Sequence, residues 1–305
     1  VPVHSLYGAT REPDAATLAG VELMLFDIQD VGARFYTYLY TMSLAMSACS
    51  RAKIPFVVLD RPNPIGGQAL AGNLLDPAFA SFVGLYPIPV RYGMTIGETA
   101  RFFNAEYGIG AELDVVSMTG WHRTDYWDDL DLPWVPPSPN MPTVDTAVVY
   151  PGTCFFEGTN VSEGRGTAKP FEQFGAPFID GERLADELNA HDLPGVLFRP
   201  VFFEPTAGKY AGQFCAGVQL HVGDRATFEP LLTGFSALAA VLRLYGDDFA
   251  WRIPQGGIHN FDRLAGTDQV RLALDRSMPA TELVASWTQE LQAFDRTRQP
   301  YLVYP

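Results

Sequence analysis

The segment from Val21 to Asp60 constrains the fold of this chain more than any other. Two short apolar runs, VELMLFDIQ and PFVVLD, flank a stretch in which Phe35, Leu39, Met42, Met46 and Cys49 recur at alternating spacings of four and three. That spacing puts them on one stripe of a helix, while runs this short, closed by Pro55 and by the Pro62 and Pro64 turn, read as strands. Strand, helix, strand in this order predicts a βαβ unit with parallel strands.

In open α/β sheets ligands collect beyond the carboxyl ends of the strands. Asp27, Gln29 and Asp30 close the first run and Asp60, Arg61 and Asn63 close the second, so both groups are expected on one edge. A helix from Met94 to about Tyr107 and a strand over Glu112–Met118 extend the pattern. Glu98 follows Thr95 at the capping-box spacing, which favours a structural role over a catalytic one. The segment WVPPSPNMP, Trp134 to Pro142, is too rich in proline for regular structure and reads as a seam. The expected division is a catalytic domain over 1–147 and a smaller α+β domain over 148–305. In the second part, helices are expected near Gly181–Ala190, Phe228–Leu244 and Thr281–Arg296, with strands over Val196–Phe203 and Phe214–Val222. The last helix carries Leu283, Trp287, Leu291 and Phe294 on one face.

With 305 residues, 47% of them apolar, and a mean hydropathy of +0.02, the chain can bury a full core. No apolar run approaches the roughly 20 residues of a membrane span. The start at Val1, without methionine, is expected of a processed or trimmed product. A net charge of −14 argues against nucleic acid, so an anionic ligand must be met by local cations. Cys49, Cys154 and Cys215 are scattered, as are the five histidines, and no metal site or cofactor is expected. Nucleotide-phosphate and serine-nucleophile motifs are absent, which leaves a nucleotide-dependent enzyme a weak alternative.

What remains is carboxylates. The loop FFEGTNVSEGRGTAKPF, Phe155 to Phe171, brings Glu157, Asn160, Glu163, Arg165 and Lys169 together among glycines. Paired carboxylates are what glycoside hydrolysis needs, one to protonate the leaving oxygen and another as base or nucleophile. Acidic residues in turns also cap helices, and for Glu157, Glu163, Asp30 or Asp60 taken singly that role is as well founded. Glu163 stands out because Arg165 and Lys169 follow it closely. Tyr36 and Tyr40, one turn apart and off the apolar stripe, are candidates for stacking on a sugar, as Tyr38, Trp121, Tyr126, Trp127 and Trp134 are more weakly. Arg34 is read either as an ion-pair partner of Asp30 or as a fork for a ligand carboxylate. The sequon Asn160-Val161-Ser162 is read as coincidental.

The series FDIQDVGARFYTY, LDRPNP, IPVRYGMTIGE, PPSPNMPT, YPGTCFFEGTNVSEGRGTAKPF and YLVY resembles the DUF1343 family along the whole chain. The resemblance implies an exo-β-N-acetylmuramidase, which removes N-acetylmuramic acid from the non-reducing ends of peptidoglycan fragments. It implies a Rossmann-like catalytic domain, a smaller substrate-binding domain, and export to the cell envelope or medium. It also implies a first sheet strand and a Pro-Glu-His-Gly motif upstream of Val1, whose glutamate leads the catalytic candidates; His4 is not that motif's histidine. The candidate set is then Glu163, Asp30 and Glu157 as catalytic acids, with Gln29, Arg34, Tyr36, Asp60, Arg61, Asn63, Asn140, Asn160, Arg165 and Lys169 around the sugar. Arg34, Arg61, Arg165 and Lys169 are the expected supply of cations for its lactyl carboxylate. A sugar-binding protein without turnover would use the same groups.

Overall fold

The computed structural model describes residues 2–8, 10–253 and 257–305. The opening unit folds as its periodicity dictates. Strand β1 (Met24–Phe26), helix α1 (Tyr38–Ala52) and strand β2 (Phe56–Leu59) are followed by helix α2 (Ile96–Glu106) and strand β3 (Leu113–Val116). The three strands form a parallel sheet in the order β1-β2-β3, with Met24 opposite Phe56 and Phe56 opposite Leu113. Leu39, Met42, Met46 and Cys49 are fully buried against this sheet, with Phe56 and Val58 from β2 in the same core. Phe35 departs from the expected stripe. It lies before the first turn of α1 and packs edge-on against Tyr150 and Phe155 in the other core.

Helix α2 begins with the capping box expected of it. Thr95 Oγ1 accepts the amide of Glu98 at 3.1 Å, and Glu98 accepts the amide of Thr95 at 2.9 Å. Glu98 is fully buried and also receives Arg123 Nη1 at 2.6 Å, so it is committed to structure.

The second half contains helix α3 (Val144–Thr153), strand β4 (Gln173–Ala176), helix α4 (Gly181–Ala190), strands β5 (Val196–Phe203) and β6 (Cys215–Val222), and helix α5 (Pro230–Tyr245). Its sheet is antiparallel in the order β4-β6-β5. Helices α6 (Asn260–Ala265), α7 (Gln269–Asp275), α8 (Ala280–Ala285) and α9 (Thr288–Arg298) close the chain. The sequence had shown neither α3, whose apolar run contains Pro151, nor the short strand β4. Helices α3 and α5 cross at Gly152 and Gly234, where a Cβ on Gly152 would lie 1.9 Å from the carbonyl oxygen of Pro230.

The single helix expected over Thr281–Arg296 is two, α8 and α9, broken at Ser286–Trp287. The break has a packing reason: Leu283 and Trp287 enter the second core, whereas Phe294 enters the first. The closing residues thereby return to the parallel sheet. Arg298 donates to the carbonyls of Gly67 and Gly93, and Tyr304 donates to Asp60 at 2.6 Å. The three cysteines are free and buried. No described helix is long and apolar enough to cross a membrane.

Candidate functional site

The two strand ends meet at one edge, as the βαβ reading required. Arg61 Nε donates to Asp27 Oδ1 at 2.7 Å, and Gln29 Nε2 donates to the carbonyl of Pro62 at 2.9 Å. Asp60 and Asn63 turn inward. Asp60 accepts from Thr95 Oγ1, the amides of Gly97 and Arg61, and Tyr304 OH, at distances from 2.6 to 2.9 Å. Asn63 donates to the carbonyl of Met94 and accepts the amide of Ile65. Asp60 thereby holds the start of α2 while still lining a cavity at this edge with Asp27 and Arg61, and Asn63 holds the loop before the helix.

Asp30 is the more informative acid. Gly32, with φ of +78°, lets the chain turn so that its amide donates to Asp30 Oδ2 at 2.8 Å; a Cβ there would strike Asn63 at 2.4 Å. Tyr92 donates to the same oxygen. Asp30 Oδ1, Gln29 Oε1 and the Tyr36 hydroxyl are buried without a partner of hydrogen-bond geometry among the described residues.

Burial raises the Asp30 carboxyl from 3.8 to about 6, against the opposing bonds from Tyr92, Gly32 and Val31. A carboxyl with its folded pKa above its unfolded one destabilises the fold when ionised, by about 3 kcal/mol here. That cost is fully present above pH 6 and is relieved as pH falls towards 4. Asp30→Asn is thus expected to gain stability relative to the parent at pH 8 and to lose that advantage at pH 4, as measured by urea unfolding at both values.

Two other candidates near this edge are structural. Arg34 is wholly buried and donates to four carbonyls: Asn73 (2.7 Å), Ile88 (2.9 Å), Leu264 (3.1 Å) and Ala265 (2.6 Å). It is neither the partner of Asp30 nor a fork for ligand. Tyr40, fully buried, donates to the carbonyl of Arg34 at 2.7 Å and presents no face to a sugar.

The Phe155–Phe171 loop is less open than its polarity implies. Phe155, Phe156, Val161 and Phe171 are fully buried anchors, and between them Glu163 is only 5% exposed. Its carboxylate stands 3.3 Å from Arg165 Nε and 2.9 Å from Lys209 Nζ, the latter an ion-pair contact without hydrogen-bond geometry. Arg165 also binds Glu157, so one guanidinium bridges both glutamates. Lys209, from the connection between β5 and β6, is held by the carbonyls of Phe156 (2.6 Å) and Val161 (2.7 Å). Burial pushes its ammonium pKa down and Glu163 opposes that shift. Lys209 escaped the sequence reading because it lies 46 residues beyond Glu163 in a segment without a motif.

Lys169 and Asn160 leave the expected set. Lys169 Nζ pairs with Glu172 at 2.6 Å beside Gln219 and His221, in a separate small cavity. Asn160 donates to the carbonyl of Asp248 and accepts the amide of Ala250, tying the loop to that segment. Asn140, half-buried, does not line the cleft that holds Glu163.

That cleft has a volume of about 750 Å³ and is lined by Glu157, Glu163, Arg165 and Lys209, with Ser81, Phe82 and Arg11 from the first half of the chain. Arg252, Asn260 and Arg263 complete it. Arg11 lies over the Phe82 ring, 3.7 Å from its centroid. Asp30 does not line the cleft. Edge-to-face rings lead from Tyr36 to it: Tyr36 meets Tyr150 at 6.0 Å, Tyr150 meets Phe171 at 4.7 Å, and Arg165 lies 4.9 Å over Phe171. Asp30, Arg34 and Asp60, expected around the same sugar as Glu163, do not line its cleft, and Arg11, Ser81 and Phe82 do.

The α/β part with the parallel sheet and the part with the antiparallel sheet share a cleft of carboxylates and cations. Two family models match nearly the entire chain: exo-beta-N-acetylmuramidase NamZ, N-terminal, over residues 1–145, and its C-terminal counterpart over 148–304. The chain belongs to this family. It is 51% identical over 304 residues to the peptidoglycan beta-N-acetylmuramidase NamZ of Bacillus subtilis strain 168, covering 100% of this chain and 72% of that protein. Two crystal structures of DUF1343 proteins from Bacteroides fragilis NCTC 9343 share the fold. One has a TM-score of 0.91 at 35% identity and covers 100% of this chain and 80% of the other. The second has a TM-score of 0.75 at 30% identity, covering 96% and 78%.

Proposed function

We propose that this protein is an exo-acting β-N-acetylmuramidase that hydrolyses the terminal N-acetylmuramic acid from the non-reducing end of peptidoglycan fragments. Family membership and the similarity to the B. subtilis enzyme support the reaction class. The observation that carries the substrate is the charge distribution of the 750 Å³ cleft. Arg165 and Lys209 are engaged by the two glutamates, whereas Arg11, Arg252 and Arg263 have no acidic partner among the described residues. In a chain of net charge −14, three arginines left without carboxylates around one cleft are a receptor for an anion. Muramic acid differs from glucosamine by its lactyl ether, which supplies that anion.

Glu163 and Glu157 are the carboxylates assigned to the reacting centre. Hydrolysis passes through an oxocarbenium-like state in which positive charge builds on the anomeric carbon. A carboxylate fixed by Lys209 and Arg165 meets that charge without having to reorganise, while water supplies the new C1–O bond and the leaving sugar takes a proton. Asp30, outside the cleft, is assigned to holding the turn at Gly32 and the Tyr92 hydroxyl. Export to the envelope or medium is proposed with this function, because peptidoglycan lies outside the cytoplasmic membrane.

The cation assignment has a direct test. Arg252→Ala and Arg263→Ala are each expected to raise KM for an N-acetylmuraminide by about tenfold, the size of one charge-assisted contact. KM for the matching N-acetylglucosaminide should stay unchanged. Equal losses on both substrates would remove these arginines from lactyl recognition.

A further inference from the structure

A larger cavity, of about 920 Å³, lies between the two halves and shares no lining residue with the Glu163 cleft. Ile65, Tyr126, Phe228, Leu232 and Leu291 give it apolar walls, and Arg91 stands among them. Of the three arginines in its lining, two are neutralised. Arg123 binds Glu98 at 2.6 Å, and Arg225 binds Asp145 at 2.5 Å together with Asp128. Arg91 is 7% exposed and has no acidic partner among the described residues. Its Nη2 donates to the carbonyl of Ile65 and, at 3.3 Å, to the Tyr126 hydroxyl, whereas its buried Nε has no partner.

Arg91 differs here from the structural arginines of the same protein. Arg34 gives its two terminal nitrogens to four carbonyls, although its Nε too is buried without a partner, and Arg298 engages all three of its nitrogens. Arg91 makes its two bonds through Nη2 alone and, unlike Arg34, lines a cavity. A buried guanidinium left unneutralised in the wall of a cavity is costly unless an anion joins it. The 16-residue helix α5 adds to that field. No side chain caps its start, and Leu231 and Leu232 of its first turn line the cavity; Pro230 before them has no N–H, and Glu229 at the cap is the one acid in the lining.

We propose that this cavity binds a carboxylate carried on a compact apolar body, with Arg91 and the first turn of α5 meeting the oxygens and the apolar walls taking the remainder. A peptide terminus of two or three small residues has that chemistry. Its source is either the D-alanine end of a peptidoglycan stem peptide or an ordinary L-peptide end. The proposal stands apart from the muramidase reading, since it concerns different residues.

Isothermal titration calorimetry on the full-length protein tests it, with N-acetyl-D-alanyl-D-alanine, the L,L isomer and the C-terminal amide of each as probes. At least one carboxylate form is expected to bind about tenfold more tightly than its amide, the size of one charge-assisted contact. Preference for the D,D isomer marks a stem peptide as the source, and preference for L,L or for neither marks a general peptide terminus. Arg91→Gln should erase the difference between acid and amide. Ala69→Trp, which fills the cavity from an exposed lining position, should abolish binding while muramidase turnover is unchanged. Absence of millimolar binding by both acids, equal binding of acid and amide, or a preference that survives Arg91→Gln overturns the proposal. If Arg91→Gln does not fold, the parent and Ala69→Trp decide between these outcomes.

Discussion

Replacing Glu163 with glutamine in the full-length protein is expected to lower hydrolysis of an N-acetylmuraminide by about three orders of magnitude, within the range for loss of a positioned acid, base or nucleophile. The same change carries a structural signature. Glu163 and Lys209 have side-chain exposures of 6% and 14%, so the variant leaves a buried ammonium facing a neutral amide. Breaking a buried pair from one side costs about 3 kcal/mol or more. A second substitution separates the two effects. In Glu163→Gln/Lys209→Met the unpaired charge is gone, and part of the lost stability should return, although the carbonyls of Phe156 and Val161 lose their donor. Activity should not return. Recovery of turnover in the double variant would show that Glu163 acts only by neutralising Lys209.

Arg34→Met is expected to have the largest effect on stability of any single change considered. The side chain is fully buried, and its two terminal nitrogens tie Asn73 and Ile88 of the first half to Leu264 and Ala265 of α6. Methionine keeps most of the volume but leaves the carbonyls of Asn73, Ile88 and Leu264 without this donor, each costing about 1–3 kcal/mol when buried, while Ala265 keeps Asn73 Nδ2 at 2.7 Å. A total loss above about 4 kcal/mol is a large share of the stability of an ordinary domain, so little folded protein should be recovered at 37 °C. Burial lowers the guanidinium pKa to about 10, which still leaves it charged at neutral pH. Arg34→Lys retains the charge but not the planar fork and should rescue only part of the loss. Urea unfolding checks both variants, and a midpoint for Arg34→Met close to that of the parent would contradict the clamp.

The parallel unit was legible in the sequence because its periods are local. A four-three apolar spacing, two β-rich runs and a capping box are each decided by neighbours within a few residues, and β1, α1, β2, α2 and β3 follow from them. Helix α4 and strand β5 occupy the expected positions for the same reason. Local pattern failed where packing between distant segments decides. One amphipathic stripe runs through Leu283 to Phe294, yet the chain breaks at Trp287 because its two ends belong to different cores. Phe35 fits the stripe of α1 by spacing and leaves it for Tyr150 and Phe155.

The site divides along the same line. The polar loop around Glu163 and the strand-end position of Asp30 could be seen in the residues, since both rest on local features. Which cation meets which acid could not. Lys169 lies six residues from Glu163 and pairs with Glu172, whereas Lys209 reaches Glu163 through the hairpin between β5 and β6. Arg34 carries the charge of a ligand-binding residue and satisfies backbone instead, a use with no sequence signature. Arg11 lies far in the chain from Arg252 and Arg263 and meets them only in the folded cleft.

The central claim is that this cleft hydrolyses a sugar recognised by its lactyl carboxylate. The most direct measurement compares release of chromophore from a β-N-acetylmuraminide and from the matching β-N-acetylglucosaminide by the full-length protein. Hydrolysis of the muraminide at least about a hundredfold faster, the size of one to two charge-assisted contacts, is the predicted result. Equal rates on the two substrates, or no release from the muraminide, would contradict it.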